Sequence, residues 1–254
     1  MDMPRNSFKH AIAKGETQIG LWCSLCSPIT AEIVSHSGFD WLLLDTEHSP
    51  NEVPDVLAQL QAVQAGTASA VVRPAWNDIV LIKRFLDIGA QTLLIPFVQT
   101  VDEARQAVAN TRYPPAGVRG VGGTTRATRF GRIKDYAKRA HEELCVLVQL
   151  ETQSAVDQIE TIARLDGIDG IFIGPADFHA SLGYSGETAN PAVLPKTDDA
   201  IRLIRACGKA PGILTPDEKL ARRYLDLGAL FVAVGADVGL LARGADQLAA
   251  KFKS

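Results

Sequence analysis

Short apolar runs alternate along the chain with segments in which apolar residues recur at helical spacing. Most of the runs do not alternate polar with apolar residues, which is typical of strands buried on both faces of a parallel sheet. Eight runs predict strands at 19–23, 41–45, 69–73, 92–96, 144–150, 170–174, 210–214 and 230–235.

Helical patterns follow most of these strands, and a glycine often separates a helix end from the next strand, as in SGFDW and LDGIDG. Helices are predicted near 28–37, 53–65, 78–88, 101–110, 154–164, 216–227 and 237–252. Eight strand–helix units in about 250 residues indicate a (β/α)8 TIM barrel, forming one domain over residues 1–254. The alternative is an open doubly wound sheet, but LWCSLCSP follows the first strand where that fold usually has G-x-G-x-x-G.

Composition narrows the classes of protein. The chain has 254 residues, of which 46% are hydrophobic and 22% charged, and this argues against disorder. The net charge of −3 provides no strong positive field, so no nucleic-acid partner is expected. No apolar run approaches 18 residues, which argues against a membrane span. The amino-terminal residues lack the apolar block of a secretory signal, and we expect a cytoplasmic location.

The chain has four cysteines, and two of them form a C-x-x-C pair, Cys23 and Cys26. Such a pair can be a redox centre or half of a zinc site. The other two, Cys145 and Cys207, lie far apart and form no second pair. Small, partly buried thiols in a reducing compartment are therefore the favoured interpretation.

Polar residues with catalytic potential follow the predicted strand ends. They are Asp45, Glu47, His48, Arg73, Gln149, Glu151 and Asp177. Because active sites of such barrels lie at the carboxyl ends of the strands, these side chains are expected to converge on one rim. Polar residues at strand ends are also common for a simpler reason, since loops are exposed to water.

Glu151 and Asp177 are the best metal candidates, because each follows one of two neighbouring strands. Two carboxylates without a soft ligand suit Mg²⁺ or Mn²⁺, with water completing the coordination. The alternative is a solvated loop acid beside a helix N-cap, since Asp177 lies where a short helix can begin.

His48 is a candidate base, oriented by Asp45 or by Asp87 on the following helix. The alternative is a loop histidine without a proton-transfer role. His179 is expected to face the same site.

Arg73 ends an apolar strand, so its guanidinium must meet an anion. That anion is either a structural carboxylate or the carboxylate or enolate of a substrate.

Two intervals, 111–143 and 175–197, are longer than a barrel unit needs, and both are expected at the carboxyl-terminal face. The first carries four arginines among glycines: Arg119, Arg126, Arg129 and Arg132. They form either a solvated or subunit-contact loop or a site for a second acidic group of a substrate. A P-loop is excluded, because G-x-x-x-x-G-K-[ST] is absent.

Eight motifs follow one another in an order that resembles the HpcH/HpaI aldolase family. They are LLLDTEHSPN, VVRPAWND, TLLIPFVQT, RYPPAGVRGVG, CVLVQLET, GIFIGPADFHASLGY, KAPGIL and LGALFVAVGAD. The resemblance covers about residues 5 to 252. It implies a (β/α)8 barrel with class II, metal-dependent pyruvate aldolase activity. The implied reaction is the cleavage of a 4-hydroxy-2-oxo acid, such as 4-hydroxy-2-oxoheptane-1,7-dioate, to pyruvate and an aldehyde.

Matching motif positions imply roles for individual residues. Glu151 and Asp177 match the ligands of a divalent ion, Mg²⁺, Mn²⁺ or Co²⁺. His48 matches the catalytic histidine, and Asp45 and Asp87 match aspartates that support it. The residues implied to bind pyruvate are Arg73, Gln149, Gly174, Pro175, Ala176, Asp177 and Leu214.

The resemblance also implies an assembly, usually a hexamer built as a trimer of dimers. Its dimers exchange the last helix, here about residues 237–252. Asp87 is then placed to reach a neighbouring subunit's site.

Three features depart from the family pattern: Thr46 where glycine is expected, the stretch Phe178–Ala180, and a shorter glycine-rich loop near 122–125. They surround the expected entrance for the aldehyde and leave the acceptor open. No lysine ends a predicted strand, which disfavours a Schiff-base aldolase. The alternatives are a 2-keto-3-deoxy sugar acid aldolase, a citrate-lyase-β-like CoA-thioester lyase and a non-catalytic barrel that binds a small acid.

Overall fold

The computed structural model describes residues 1–253, and its centre is a closed barrel of eight parallel strands. The strands are hydrogen-bonded in chain order, and the eighth pairs with the first. Their bounds are β1 Gln18–Cys23, β2 Trp41–Asp45, β3 Ser69–Arg73, β4 Thr92–Ile95, β5 Cys145–Leu150, β6 Gly170–Ile173, β7 Ala210–Leu214 and β8 Phe231–Ala236. The predicted (β/α)8 barrel is confirmed, and each strand lies within one residue of its predicted bounds.

Helices surround the barrel. Their bounds are α1 Ser7–Ala13, α2 Pro28–Ser35, α3 Val53–Val63, α4 Ile79–Asp87, α5 Val101–Thr111, α6 Tyr136–Glu143, α7 Gln153–Val156, α8 Ile159–Ala163, α9 Pro175–Ser181, α10 Leu194–Ala206, α11 Glu218–Asp226 and α12 Asp237–Ala250. The single helix predicted near 154–164 is two short helices, α7 and α8. Sequence analysis did not predict α1, α6, α9 or α10. No helix in residues 1–253 combines the length and apolar character needed to cross a membrane.

The strands bury both faces, as their continuous apolar sequences predict. An apolar cluster with side chains from all eight strands fills the barrel interior, where the rings of Trp41 and Phe231 lie 5.9 Å apart. Helix α1 adds Phe8, whose ring centroid lies 5.8 Å from each of them. A Cβ atom at residue 212 would lie 2.1 Å from the Phe231 ring, so Gly212 makes room for this aromatic core.

The long segment between α5 and α6 lies at the amino-terminal face of the barrel. The backbone N–H of Ala127 donates to the carbonyl of Asp87, and the guanidinium of Arg126 donates to the carbonyl of Ile88. These carbonyls lie where α4 ends, shortly before β4 begins. The prediction that this segment reaches the carboxyl-terminal face is wrong, because α5 first carries the chain back along the barrel.

The second long interval follows β6 directly, and it reaches the carboxyl-terminal face as predicted. It is more regular than expected, since α9 begins immediately after the strand and α10 begins at Leu194.

All four cysteines are free thiols. Burial raises the pKa of Cys23 well above its ordinary value, with a smaller contribution from the charge of Asp237. The thiol is therefore neutral, in keeping with the interpretation of the C-x-x-C pair as buried thiols rather than a reactive dithiol.

Candidate active site

A cavity of about 230 Å³ opens at the carboxyl ends of the strands. Its lining includes most of the residues predicted to form the site: His48, Arg73, Gln149, Glu151, Gly174, Pro175, Ala176, Asp177 and Leu214. Asp45 is 1% exposed and contacts Arg73 directly. The predicted convergence of the strand-end residues on one rim is therefore observed, whereas Asp87, at the end of a helix, is not among the lining residues.

Arg73 is held in place by two carboxylates and an aromatic ring. It is the register partner of Asp45 across β2 and β3, and its Nε and Nη2 donate to the two oxygens of that carboxylate at 2.8 and 2.7 Å. Its Nη1 lies 2.8 Å from Oε2 of Glu47, and its Cζ lies 5.0 Å from the ring centre of Trp22. Burial opposes ionisation of Asp45, but the hydrogen bonds and charge of Arg73 hold the pKa of that carboxyl below its usual value.

The turn after β2 is fixed by its own polar residues. The backbone N–H of Glu47 donates to Oδ1 of Asp45, and Nδ2 of Asn51 donates to the Asp45 carbonyl at 2.7 Å. Thr46 donates both its N–H and its hydroxyl to the carbonyl of Arg73. The threonine that departs from the family pattern therefore ties the end of β2 to the end of β3.

His48 projects from this turn into the mouth of the cavity, and its side chain is 66% exposed. Its Nε2 lies 3.7 Å from Oε2 of Glu47. The Asp45 oxygens accept from Arg73 and from the Glu47 backbone instead. Asp45 thus orients the guanidinium, and within residues 1–253 no hydrogen bond joins it to the imidazole that it was predicted to orient.

Glu151 is 2% exposed at the base of the cavity, and each of its oxygens has a donor. Oε1 accepts from the amide of Gln149, and Oε2 accepts from the backbone N–H of Phe97 at 3.0 Å. The backbone of Phe97 has φ = 50°, a left-handed conformation that costs energy for a phenylalanine. A Cβ atom at residue 174 would lie 2.5 Å from Oε1 of Glu151, so Gly174 permits this close approach.

Negative charge exceeds positive charge in the cavity. Burial raises the pKa of Glu151 to about 7, and the charges of Glu47 and Asp177 add to this shift against the opposing hydrogen bond from Gln149. Burial likewise raises the pKa of Glu47 to about 7, although Arg73 opposes the shift. Both carboxylates would ionise more readily beside an additional cation.

Asp177 lies in the first turn of α9, whose N-cap residue is Gly174. The alternative interpretation of Asp177 as an N-cap is therefore wrong. His179, two residues further on, is 1% exposed, and its Nδ1 lies 2.7 Å from the Pro175 carbonyl. It is not among the residues that line the cavity, so the expectation that it faces the site is wrong.

Asp87 lies away from the cavity. It ends α4, which begins after β3 and runs back to the amino-terminal face. Its Oδ1 accepts from Nη2 of Arg119 at 2.8 Å, and Arg119 is fully buried, with its Cζ 4.5 Å from the ring centre of Tyr113. Within one chain, Asp87 cannot support His48, and Arg119 is a buried structural residue rather than part of the substrate cavity.

A family model of the HpcH/HpaI aldolase/citrate lyase family matches residues 18–244, which is most of the chain. The chain belongs to this family. The match includes all eight barrel strands and every residue that lines the cavity, so HpcH/HpaI membership covers both the fold and the site. The predicted family and the predicted enzyme class, a carbon–carbon lyase of the aldolase type, are confirmed.

Individual HpcH/HpaI relatives are similar over nearly the whole chain. The 4-hydroxy-2-oxo-heptane-1,7-dioate aldolase of Salmonella arizonae is 57% identical, over 98% of this chain and 95% of the relative. The pyruvate aldolase of Rhizobium etli is 56% identical, over 99% of both chains. A crystal structure of a family protein from Burkholderia cenocepacia J2315 has a TM-score of 0.94 at 40% identity, covering 98% of this chain and 100% of that one.

Sequence analysis did not predict six of the residues that line the HpcH/HpaI cavity. These lining residues carry no conspicuous chemistry, and they are Thr188, Thr215, Pro216 and Tyr224, together with Trp22 and Phe172. Thr215 and Pro216 directly follow β7, so the strand-end rule could have found them. Thr188 and Tyr224 lie in a loop and a helix, and only tertiary structure brings them to the cavity.

The donor set in the HpcH/HpaI cavity fits a hard divalent ion. No group of three or more His, Cys, Asp or Glu side chains converges on one point in residues 1–253. Magnesium-type sites do not require such a cage, because one or two carboxylates suffice when substrate and water supply the other oxygens. The Oε1 atom of Gln149 is buried beside Glu151 without a hydrogen-bond partner in the described chain, as expected for an atom that meets a ligand.

Proposed function

We propose that this chain reversibly cleaves a 4-hydroxy-2-oxo acid to pyruvate and an aldehyde, with 4-hydroxy-2-oxoheptane-1,7-dioate as the first substrate to test. The observation that carries the proposal is the meeting of two carboxylates, Glu151 and Asp177, with Arg73 and His48 around one cavity. A retro-aldol reaction needs a base for a hydroxyl proton and positive charge for an enolate, and this cavity holds groups for both.

Glu151 and Asp177 would hold the divalent ion, Mg²⁺, Mn²⁺ or Co²⁺, and Gln149 lies beside it. When bound, the ion would supply Lewis-acid polarisation of the 2-oxo group and would balance part of the negative charge. The raised pKa of Glu151, which is due mainly to burial, supports this assignment because no cationic side chain among residues 1–253 lowers it.

His48 takes the proton from the C4 hydroxyl as the C3–C4 bond breaks and the bonding electrons move onto the pyruvate portion. An exposed imidazole at the cavity mouth exchanges protons readily with water, so it can serve both directions of the reaction. Protonation of the enolate at C3 then yields pyruvate, and the former C4 leaves as the aldehyde.

Arg73 stabilises the negative charge of the enolate. A guanidinium has five N–H groups, and the hydrogen bonds to Asp45 use two of them, while Nη1 forms an ion pair with Oε2 of Glu47 at 2.8 Å. The other N–H groups are available to a substrate oxygen, and the side chain is already fixed in its orientation. The two interpretations of Arg73, pairing with structural carboxylates and binding of a substrate anion, are therefore compatible. The carboxylates orient the guanidinium, and the guanidinium binds the substrate.

We also propose that the active form is a hexamer, a trimer of dimers, in which α12 is exchanged between subunits. Apart from Asp237, every residue of α12 is at least partly exposed, including Val238, Leu240, Leu241 and Leu248. A helix with four such apolar side chains gains stability by packing on another chain. In the assembly, Asp87 would reach a neighbouring site and support its histidine. Light scattering at micromolar concentration tests the mass, and a monomer would contradict this assembly.

We also propose that the reaction takes place in the cytoplasm, because four free cysteines suit a reducing compartment.

The aldolase reaction is tested directly by pyruvate release. Metal-stripped protein is given 4-hydroxy-2-oxoheptane-1,7-dioate or 2-dehydro-3-deoxyglucarate, with and without Mg²⁺, Mn²⁺ or Co²⁺. Metal-dependent pyruvate from either substrate supports the proposal, and the ratio selects between the two acids. No pyruvate from either substrate with metal bound contradicts it.

A further inference from the structure

The loop that follows β4 directs two successive backbone N–H groups at the end of β5. The N–H of Phe97 donates to Oε2 of Glu151 at 3.0 Å, and the N–H of Val98 donates to the carbonyl oxygen of Gln149 at 3.0 Å. The side-chain amide of Gln149 donates to Oε1 of Glu151. Each carboxylate oxygen therefore has one donor, and the direction of the carboxylate is set by groups outside its own side chain.

The backbone conformation of Phe97 decides where these two N–H groups point, because they lie on either side of its Cα atom. In extended backbone, successive residues face opposite sides, whereas a left-handed residue lets successive N–H groups converge on one acceptor region. Phe97 has φ = 50°, in the left-handed region. A residue with a Cβ atom disfavours this region and glycine adopts it freely, so the surroundings must hold Phe97 there.

Two fixed neighbours hold the residue in this conformation. The ring centre of Phe97 lies 5.5 Å from that of Trp76, with 32° between the ring planes, which is an attractive aromatic arrangement. Trp76 belongs to the loop after β3, and this loop is tied to α5 because Nδ2 of Asn77 donates to the carbonyl of Glu103 at 3.0 Å. On the other side of Phe97, the side chain of Val98 is fully buried.

We propose that Phe97, held by Trp76, is a positioning residue that fixes Glu151 for a divalent ion. The inference rests on the proposed metal site and adds two residues that act on it without touching the ion. Donors that orient a ligating carboxylate keep it in place before the ion arrives, and loss of such an outer contact typically weakens metal binding by about 10 to 100-fold.

A pair of variants at residue 97 separates backbone conformation from ring packing. The affinity for Mn²⁺ is measured by electron paramagnetic resonance of the free ion, using the metal-stripped full chain. Phe97→Gly should keep a Kd near that of the wild type, because glycine adopts positive φ freely. Phe97→Val should weaken binding by about tenfold or more, because a β-branched residue strongly disfavours positive φ.

The order of the two affinities decides the outcome. Both variants lose the ring, so a role in packing alone would favour valine, which has the larger side chain. Equal Kd values for the two variants, or tighter binding by the valine variant, would overturn the proposal.

The contribution of Trp76 is tested separately. Trp76→Ala changes a half-exposed side chain, so this test does not depend on the folding of the valine variant. It should weaken Mn²⁺ binding by about threefold or more in the wild-type background. It should have no effect in the Phe97→Gly background, where no ring remains to be held. An unchanged Kd in the wild-type background, or equal losses in both backgrounds, would contradict the role of Trp76.

Phe130 provides a matched control, because it is a second phenylalanine in the left-handed region, with φ = 57°. It lies in the segment between α5 and α6, at the amino-terminal face of the barrel. Phe130→Gly and Phe130→Val should both leave the Kd for Mn²⁺ near that of the wild type. A loss of affinity in Phe130→Val as large as that in Phe97→Val would show general destabilisation and would contradict the proposal.

This inference and the proposed function fail in different ways. If the wild-type chain binds no Mn²⁺, the proposed metal site is contradicted, and the inference with it. If the wild-type chain binds Mn²⁺ and releases pyruvate only with metal, but glycine and valine at residue 97 give equal affinities, the aldolase reaction stands. Only the positioning role of Phe97 is then overturned.

Discussion

Asp45 and Arg73 form a two-point ion pair at the ends of β2 and β3, with N–O distances of 2.8 and 2.7 Å. They are register partners, so the strand pairing itself brings the two side chains together. The pair is buried, with 2% and 7% of the two side chains exposed. A guanidinium fixed in this way is oriented before any substrate arrives, which lowers the cost of binding an enolate.

Arg73→Lys should reduce kcat/KM for pyruvate release by about a hundredfold or more, because an ammonium group cannot reproduce the paired hydrogen bonds. Asp45→Asn changes the other member of the pair, and the double variant completes a thermodynamic cycle. The free energies of unfolding, measured by urea denaturation, should show coupling of at least about 1 kcal/mol. Additive losses would show that the pair does not act as a unit.

His48→Gln should lower kcat by about 10² to 10⁴-fold while leaving the unfolding midpoint near that of the wild type. The side chain is 66% exposed and makes few contacts, so its replacement removes chemistry rather than packing. His36→Gln serves as the control, since His36 is an exposed histidine at the end of α2, far from the cavity. Full activity in His48→Gln would exclude the imidazole as the base.

Thr46→Val should destabilise the protein by about 1 kcal/mol, because valine matches the shape of threonine but cannot donate to the Arg73 carbonyl. Thr46→Ser keeps the hydroxyl and should recover most of this stability. Thermal unfolding of the two variants makes the comparison, with an expected difference of about 2–4 °C. Equal unfolding midpoints would show that the hydrogen bond from the Thr46 hydroxyl does not contribute to stability.

The metal-free protein should lose stability as pH rises. Burial raises the pKa of Glu151 to about 7, above its ordinary value of 4.5, so the folded state favours the protonated form. The associated stability is complete below about pH 4.5 and is lost as pH rises through about 7. Glu151→Gln should remove part of this slope in unfolding measurements between about pH 5 and pH 8.

Added Mg²⁺ should stabilise the wild-type protein more at about pH 8 than at about pH 5, since only the ionised carboxylate binds the ion. Glu151→Gln should abolish this stabilisation. Equal stabilisation of both proteins at each pH would show that Glu151 is not a ligand.

Local sequence was sufficient to locate the strands and the polar residues at their ends. Arg73, Glu151 and Asp177 each lie within four residues of a strand end, and the geometry of a barrel brings such positions together. Sequence analysis could not predict which side chain each of these residues contacts. Asp45 is bound to Arg73 rather than to His48, because register between strands decided the contact.

Position along the barrel axis was the main source of error. Asp87 and the segment that follows α5 were expected near the cavity, yet each lies after a helix that has carried the chain to the other end. A residue directly after a strand is at the carboxyl-terminal face, and a residue directly after a helix is at the amino-terminal face. This rule places Asp87, which ends α4, at the amino-terminal face, where the structure has it.

Exchange of the methyl protons of pyruvate with deuterium tests the central claim without any choice of aldehyde. Proton NMR of pyruvate in D₂O with Mg²⁺-loaded wild-type protein should show steady loss of the methyl signal. Glu151→Gln and Arg73→Lys should slow this loss by at least about a hundredfold. An unchanged methyl signal with the metal-loaded wild-type protein would contradict enolate formation in this cavity, and with it the proposed aldolase reaction.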